Sequence, residues 1–341
     1  MFKKLCFDEK KVYPTLVIST MSSGKSTLIN ALVGKELLPS RNTACTAKAL
    51  AIIDNDEKSG FSIHAIDKNG KYTFIEKATK EIIDTFNETN EVLEMILEGE
   101  IKGIRNSKKS LMLIDTPGIN NSMDQSHAQI TKSVLKEYQE GLLLYIINAQ
   151  QVGTYDDGTF LSFIAKRLEE NQNFKIIFII NKMDIIDPEV ENPREFVNMC
   201  KEYIEDKGIN DPIIIPVSAS NALLFKKVLN KDSLSMIEQF NFEFGFSIFK
   251  RESYSLTDYV YIPNEVDRDD CLFVNGISYT NSSIYAALEN TGLPLLERKI
   301  DEILIKSSKK KAPKIMEKNV HNIVLKKSKK RRSRSSKRKG K

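Results

Sequence analysis

The chain has 341 residues, and none of its apolar stretches reaches the ~20 residues that a membrane-spanning helix needs. Its opening residues, MFKKLCFDEKK, are too polar for a signal peptide. Cysteine is scarce: Cys6, Cys45, Cys200 and Cys271 are all there is, and no two have C-x-x-C spacing. That pattern speaks against a disulfide frame or a cysteine zinc site and fits reduced thiols in the cytoplasm. Histidine is scarcer still, and His64, His127 and His321 form no metal motif. No internal repeat is visible. Hydrophobic residues make up 41% of the chain, an ordinary share for a globular protein.

Acidic residues are almost missing from one end. Residues 307–341 hold 16 lysines and arginines against a single acid, Glu317. The whole chain carries +5, so the remaining 306 residues are acidic, near −10. A segment so basic and so poor in apolar residues is expected to be disordered. It is expected to meet a polyanion, either an anionic membrane surface or nucleic acid. The rest, residues 1–306, reads as one domain.

Four short segments occur in fixed order in that domain. They are Ser19-Thr20-Met21-Ser22-Ser23-Gly24-Lys25-Ser26, Asp115-Thr116-Pro117-Gly118, Asn181-Lys182-Met183-Asp184 and Val217-Ser218-Ala219. Each follows an apolar run. The first lies between a strand ending at Ile18 and a helix from Ser26 to Val33, the setting of a phosphate-binding loop. There the N–H groups of Ser23, Gly24 and Thr27 and the positive helix end face an anion. Lys25 is placed for β- and γ-phosphates, and the Ser26 hydroxyl for Mg²⁺. Position 19 is Ser where the loop pattern has Gly.

The second segment follows the short strand Leu111–Ile114. Asp115 is placed to hold a water on Mg²⁺, and the Gly118 N–H to bond the γ-phosphate. A switch threonine that closes on Mg²⁺ is expected between these segments; Thr46 is the choice and Thr43 the alternative. The third segment ends the strand Lys175–Ile180. A carboxylate such as Asp184 accepts from the N1–H and 2-amino groups of guanine, and adenine offers no matching donors. Asn181 ties the loops together, the Lys182 stem covers the base, and the Ala219 N–H, after Ser218, meets the guanine O6. The implied ligands are GTP and GDP with Mg²⁺.

Further detail surrounds these motifs in Met21-Ser22-Ser23-Gly24-Lys25-Ser26-Thr27-Leu28-Ile29-Asn30-Ala31-Leu32, Leu37-Leu38-Pro39-Ser40 and Ala44-Cys45-Thr46-Ala47. It continues in Asn148-Ala149-Gln150-Gln151-Val152-Gly153-Thr154 and in Gly292-Leu293-Pro294-Leu295-Leu296-Glu297. These segments resemble the dynamin family, in its bacterial dynamin-like branch, from about residue 10 to about residue 306. Small signalling GTPases carry a water-orienting Gln after the Gly of the second motif, whereas this chain has Ile119. The resemblance implies that the phosphate loop and a homodimer partner across the nucleotide face take over that task. Ser22 then contacts a monovalent cation, K⁺ or Na⁺, and the bridging oxygen, and Ser22, Lys25 and Thr46 are the catalytic set. Met21 stands where many dynamins carry Gln, which suggests slow turnover. Asp156 and Asp157 are either a trans-acting acidic contact across the dimer or simply the N-terminal acids of the next helix. The family's long stalk helices are not expected in this chain.

The expected fold is α/β: a P-loop NTPase with a mainly parallel sheet flanked by helices, an antiparallel edge hairpin, and the disordered basic tail. Strands are expected at Ala47–Asp54, Phe61–Ile66, Tyr72–Glu76 and Ile213–Val217. A helical insertion is expected over Thr79–Ile101, and helices over 125–139, 157–169, 193–207 and 294–306. Residues 222–290 read as an insertion before the closing helix. Their alternating Phe240, Phe242, Phe244 and Phe246 suit a strand face, a partner surface or core packing.

The expected function is GTP hydrolysis to GDP and phosphate by a nucleotide-dependent dimer switch. The alternatives are a ribosome- or nucleic-acid-associated GTPase anchored by its tail, and a non-catalytic GTP-binding module. The expected location is cytoplasmic, peripheral at a membrane or the nucleoid.

Overall fold

The computed structural model describes residues 11–19, 22–39, 49–89, 91–105, 109–116, 138, 140–153, 155–170, 173–187, 189–257, 271–274 and 277–309. Met21, Thr43, Thr46, Gly118, Ile119, all but residue 138 of the helix expected over 125–139, and the tail from residue 310 lie outside them, as do the side chains of Asp156 and Asp157.

The strand β1, Val12–Ser19, is buried along its whole length. A run with no polar alternation needs cover on both faces, and β1 receives it as a central strand. Around it stand β2 (Ala49–Asp54), β3 (Ser62–Asp67), β4 (Tyr72–Ile75), β5 (Val92–Gly99), β6 (Ser110–Asp115), β7 (Gly141–Asn148), β8 (Phe174–Asn181) and β9 (Ile214–Val217). They form one sheet in the order β4-β3-β5-β2-β6-β1-β7-β8-β9. The strands β6, β1, β7, β8 and β9 run parallel. The expected β3–β4 hairpin is present. Reversal goes further than that hairpin, because β2 pairs antiparallel with β6 and β3 antiparallel with β5.

One expected element is corrected. Thr79–Ile101 is not a helical insertion: only α2, Lys80–Glu88, is helical, and β5 follows as an inner strand between β2 and β3. The α2 helix starts where the Thr79 side chain accepts from the Ile82 N–H, the usual N-cap arrangement. The Val92–Gly99 segment has good helix formers in Leu, Glu and Met, but pairing on both edges overrides that preference.

Alternate residues of β1 point to opposite faces. Tyr13 and Val17 pack against α1 (Lys25–Val33) and the C-terminal helices, whereas Leu16 and Ile18 join Phe160, Leu161 and Ile164 of α3 (Tyr155–Glu170). The second face also takes Ile204 of α4 (Pro193–Asp206).

After β9 come α5 (Ala219–Leu229), α6 (Met236–Phe249), the antiparallel pair β10 (Cys271–Val274) and β11 (Ile277–Thr280), α7 (Asn281–Asn290) and α8 (Leu293–Lys309). The alternating phenylalanines are helical, which corrects the strand option. A complete capping box between Ser235 and Glu238 starts α6. Residues four apart share a helix face. Phe242 and Phe246 therefore turn inward together and meet Phe225 and Tyr279 edge to face. On the other side of α6, Met236, Ile237, Phe240 and Phe244 are exposed.

The α8 helix buries Leu293, Leu296, Ile300 and Leu304 at helical spacing. By internal contacts the chain divides into Met1–Ile305 and Lys306–Lys341. No helix among the described residues is long and apolar enough to cross a membrane.

Candidate functional site

Because β1, β7, β8 and β9 are parallel, their C-terminal ends share one edge of the sheet. Open α/β sheets take their ligands at such an edge. Three of the four sequence motifs follow β1, β8 and β9, and the second follows β6 beside β1.

Backbone conformation sets the first turn. Ser22 (φ 59°) and Gly24 (φ 84°) are both left-handed, and Gly24 alone escapes the steric cost of that conformation. A Cβ at Gly24 would also lie 2.4 Å from Asn181 Nδ2. The α1 helix begins at Lys25 with no side-chain cap and no acid in its first turn. Its leading N–H groups are therefore donors suited to an anion. Ser23 is buried, Ser26 and Thr27 are half-buried, and Ser22 is exposed.

Lys25 forms an ion pair with Asp115 at the end of β6, joining the first two motifs. Thr116 is buried, and its hydroxyl donates to Val17 O at 2.7 Å, which moors the second motif to β1. A hard cation such as Mg²⁺ takes one or two protein oxygens and fills its shell with water and phosphate oxygens. The Ser26 hydroxyl and the Asp115 carboxylate are donors of that kind. Among the described residues no group of three His, Cys, Asp or Glu could hold a metal by protein ligands alone. The donor set therefore fits a cation brought in with a phosphate ligand.

Asn181 is the node of the site. It is buried, its Nδ2 donates to Ser23 O at 2.9 Å, and its Oδ1 accepts from the Ala219 N–H at 3.1 Å. One side chain thus joins the phosphate-type turn to the start of α5. Lys182 follows in the left-handed region (φ 66°) and starts a single 3₁₀ turn, Met183–Ile185. That turn carries Asp184, whose Oδ1 accepts from Ser218 Oγ at 2.6 Å. Beneath it, the Ser218 N–H donates to Thr291 O at 2.9 Å. A Cβ at Gly292 (φ 80°) would come within 2.0 Å of Pro216 O. The turn before α8 is therefore pressed against the end of β9.

Sequence reading did not single out three further side chains here. Asn148, at the end of β7 and level with Asn181, donates to Ser22 O at 3.4 Å. Asn30 binds the backbone of Leu37 and Leu38, the residues that lead toward Thr43 and Thr46. Asn221 donates to Ser218 Oγ at 2.9 Å. Asn30 and Asn148 stand in the segments that resemble the dynamin family, with no role read for either, and Asn221 has no signal beyond an amide next to an apolar run. The buried node at Asn181, in contrast, falls inside a motif.

This sheet, with a glycine turn between β1 and α1 and polar turns after β8 and β9, has the fold of a P-loop GTPase. The dynamin family model matches residues 16–183, which takes in the first two motifs and the third as far as Met183. A bacterial dynamin-like protein of Nostoc punctiforme is 26% identical over 246 residues, covering 63% of this chain and 33% of its own length. The GTPase Era of Borreliella burgdorferi is 25% identical over 177 residues, covering 51% of this chain and 56% of its own. Among solved structures, a chain from an oligomerised bacterial dynamin pair superposes with a TM-score of 0.46 at 17% identity, covering 98% of this chain and 46% of its own. The chain thus spans a third to just over half of these relatives' lengths. It belongs to the dynamin superfamily of GTPases.

Proposed function

We propose that this chain binds GTP with Mg²⁺, hydrolyses it to GDP and phosphate, and works as a nucleotide-dependent homodimer switch. The observation that carries the reading is the Asn181 node, which binds a turn suited to phosphate and a turn suited to a base through one side chain. A nucleotide is the ligand that needs both at once.

In this reading the N–H groups of Ser23, Gly24, Lys25, Ser26 and Thr27 bind the phosphates. Lys25 leaves Asp115 to reach the β- and γ-phosphates. Ser26, Thr46 and, through a water, Asp115 hold Mg²⁺, which supplies charge neutralisation at the phosphates. The Gly118 N–H answers to the γ-phosphate. Lys182 covers the base and Asp184 accepts from its N1–H and 2-amino groups. The Ala219 N–H now bonds Asn181, so contact with the base carbonyl requires it to be shared. Ser22 orients the attacking water with a partner subunit and a K⁺ or Na⁺ ion, since Ile119 has no group that binds water. The basic tail adds a polyanion contact, lipid surface or nucleic acid, through its 16 positive side chains.

The decisive experiment is the GTPase rate per molecule against protein concentration, with K⁺ and without it. A rate that rises with concentration supports hydrolysis by a dimer. A flat profile with K⁺ rejects the dimer, and no turnover at any concentration leaves a binding module. Lys25→Ala is the control, and its fluorescent-nucleotide affinity falls by at least a hundredfold in this reading. Deleting residues 307–341 removes pelleting with anionic liposomes or RNA at low salt; retention of both rejects the tail as the contact.

A further inference from the structure

Ser218 is wholly buried at the end of β9, and its hydroxyl makes hydrogen bonds of both senses. It donates to Asp184 Oδ1 at 2.6 Å and accepts from Asn221 Nδ2 at 2.9 Å. A hydroxyl has one proton to give. With the Asn221 amide supplying a proton to the oxygen, the Ser218 proton goes to Asp184.

Asn221 is closely enclosed. It lies within the first turn of α5 and is 8% exposed. On its far side stands α6, where a Cβ at position 245 would sit 1.8 Å from Asn221 Oδ1. Glycine inside a helix is unfavourable relative to alanine, and here it allows close approach. Gly245 lets the α6 backbone pack directly against the Asn221 amide, on the side away from Ser218. A chain of contacts thus runs from Gly245 through Asn221 and Ser218 to Asp184, linking α6 to the 3₁₀ turn after β8.

We propose that Asn221 is a positioning residue for nucleobase selectivity: it orients the Ser218 hydroxyl, which in turn holds the Asp184 carboxylate against the base edge. The inference rests on the assignment of Asp184 to the base. It predicts that the identity of residue 221 changes which base is preferred, rather than how well phosphates bind. A side chain that only fills space would alter all nucleotides alike.

The test compares GDP and IDP affinities of the full chain by fluorescence competition. IDP lacks the 2-amino group, so the GDP:IDP ratio reports the placement of the carboxylate while phosphate contributions cancel. Asn221→Asp keeps size and shape but offers an acceptor to Ser218, which draws the hydroxyl proton away from Asp184. The ratio is expected to fall about tenfold in Asn221→Asp, the worth of a hydrogen bond to a charged group. Asn221→Ala, which avoids a buried carboxylate, is expected to lower it about threefold. Circular dichroism establishes that both variants fold, and Asp184→Asn is the reference. If Asp184→Asn lowers the ratio and neither Asn221 variant does, Asn221 is packing and the proposal is overturned. If Asp184→Asn also leaves the ratio at the wild-type value, the base assignment falls, and this inference with it.

Discussion

Replacing Asn30 by leucine tests how the phosphate-binding helix holds the segment that follows it. Asn30 is fully buried on α1. Its Oδ1 accepts from the Leu37 N–H at 3.0 Å and the Leu38 N–H at 2.8 Å, and its Nδ2 donates to Leu38 O at 2.8 Å. Leu37 and Leu38 are themselves buried, so water does not readily replace the lost partner. Leucine is close in volume and apolar, so the change is almost purely one of hydrogen bonding. The Leu38 N–H and carbonyl lose their partner, at about 1–3 kcal/mol each, whereas the Leu37 N–H loses one of two, since it also donates to Lys35 O at 3.1 Å. Relaxation of the short loop recovers part of that sum, and a net loss of about 2–4 kcal/mol is expected. At roughly 2–4 °C per kcal/mol for domains of a few hundred residues, Tm falls by about 4–16 °C.

The assay is urea unfolding followed by circular dichroism, with the urea dependence checked against wild type. Thr15→Val on β1 is the companion of opposite sign. Thr15 is fully buried and its hydroxyl has no hydrogen-bond partner among the described residues. Exchanging that hydroxyl for a methyl removes a desolvated polar group, so stability is expected to hold or rise by about 1 kcal/mol. A loss below about 1 kcal/mol for Asn30→Leu would refute the view that this amide carries the loop. A comparable loss for Thr15→Val would refute the accounting of buried polar groups behind both.

How much of this was legible in the sequence differs from element to element. The strands β1, β6, β8 and β9 were readable because each is an apolar run that ends in a motif residue, so run and motif confirm each other. The run Gly141–Asn148, wholly buried as β7, carries the same apolar signal without such a motif. β5 was not readable. Its residues favour a helix by intrinsic propensity, and only the flanking strands β2 and β3, distant in sequence, supply the pairing that decides otherwise. The phenylalanines from 240 to 246 were ambiguous in principle. A spacing of two fits a strand face, while the same residues taken in pairs four apart fit a helix, and the capping box at Ser235 settles the matter. At the site, motif spacing named the residues on the rim. The amides behind them, Asn30, Asn148 and Asn221, have partners that only the folded chain brings near. No periodicity announces a contact between Asn221 and Gly245.

The remaining predictions concern charge, a backbone contact and the metal. Glu98 lies under opposing influences: burial raises its pKa, but hydrogen bonds from Lys58, Asn55 and His64 outweigh this, and the net pKa is lowered below the usual 4.5. A carboxyl with a depressed folded pKa contributes stability that is present above its unfolded pKa and lost as pH falls through the folded value. Glu98→Gln is therefore expected to flatten the acid-side loss of stability below pH 4.5 in urea melts, and an unchanged slope would count against this network. Gly292→Ala forces a left-handed residue with a Cβ 2.0 Å from Pro216 O, so a stability loss of about 2 kcal/mol or more is expected, and a change within about 0.5 kcal/mol would contradict the tight seat of α8 on β9. The last prediction separates two roles of Asp115. In the structure its carboxylate pairs with Lys25, so in the absence of Mg²⁺ it competes with phosphate for that ammonium and also repels the phosphate. With Mg²⁺ the same carboxylate is a support for the cation. Asp115→Asn removes both, with opposite signs. The pair is partly exposed, at 13% and 25% for the two side chains, so solvent screening limits its worth to about 1 kcal/mol. In EDTA the variant is expected to bind GDP as tightly as wild type or up to about fivefold more tightly. On adding Mg²⁺ the wild type gains affinity for a GTP analogue and the variant gains far less. Weaker GDP binding by the variant in EDTA would mean that Asp115 shapes the loop for phosphate rather than competing with it, and the Lys25 pair would then be part of the binding-competent geometry.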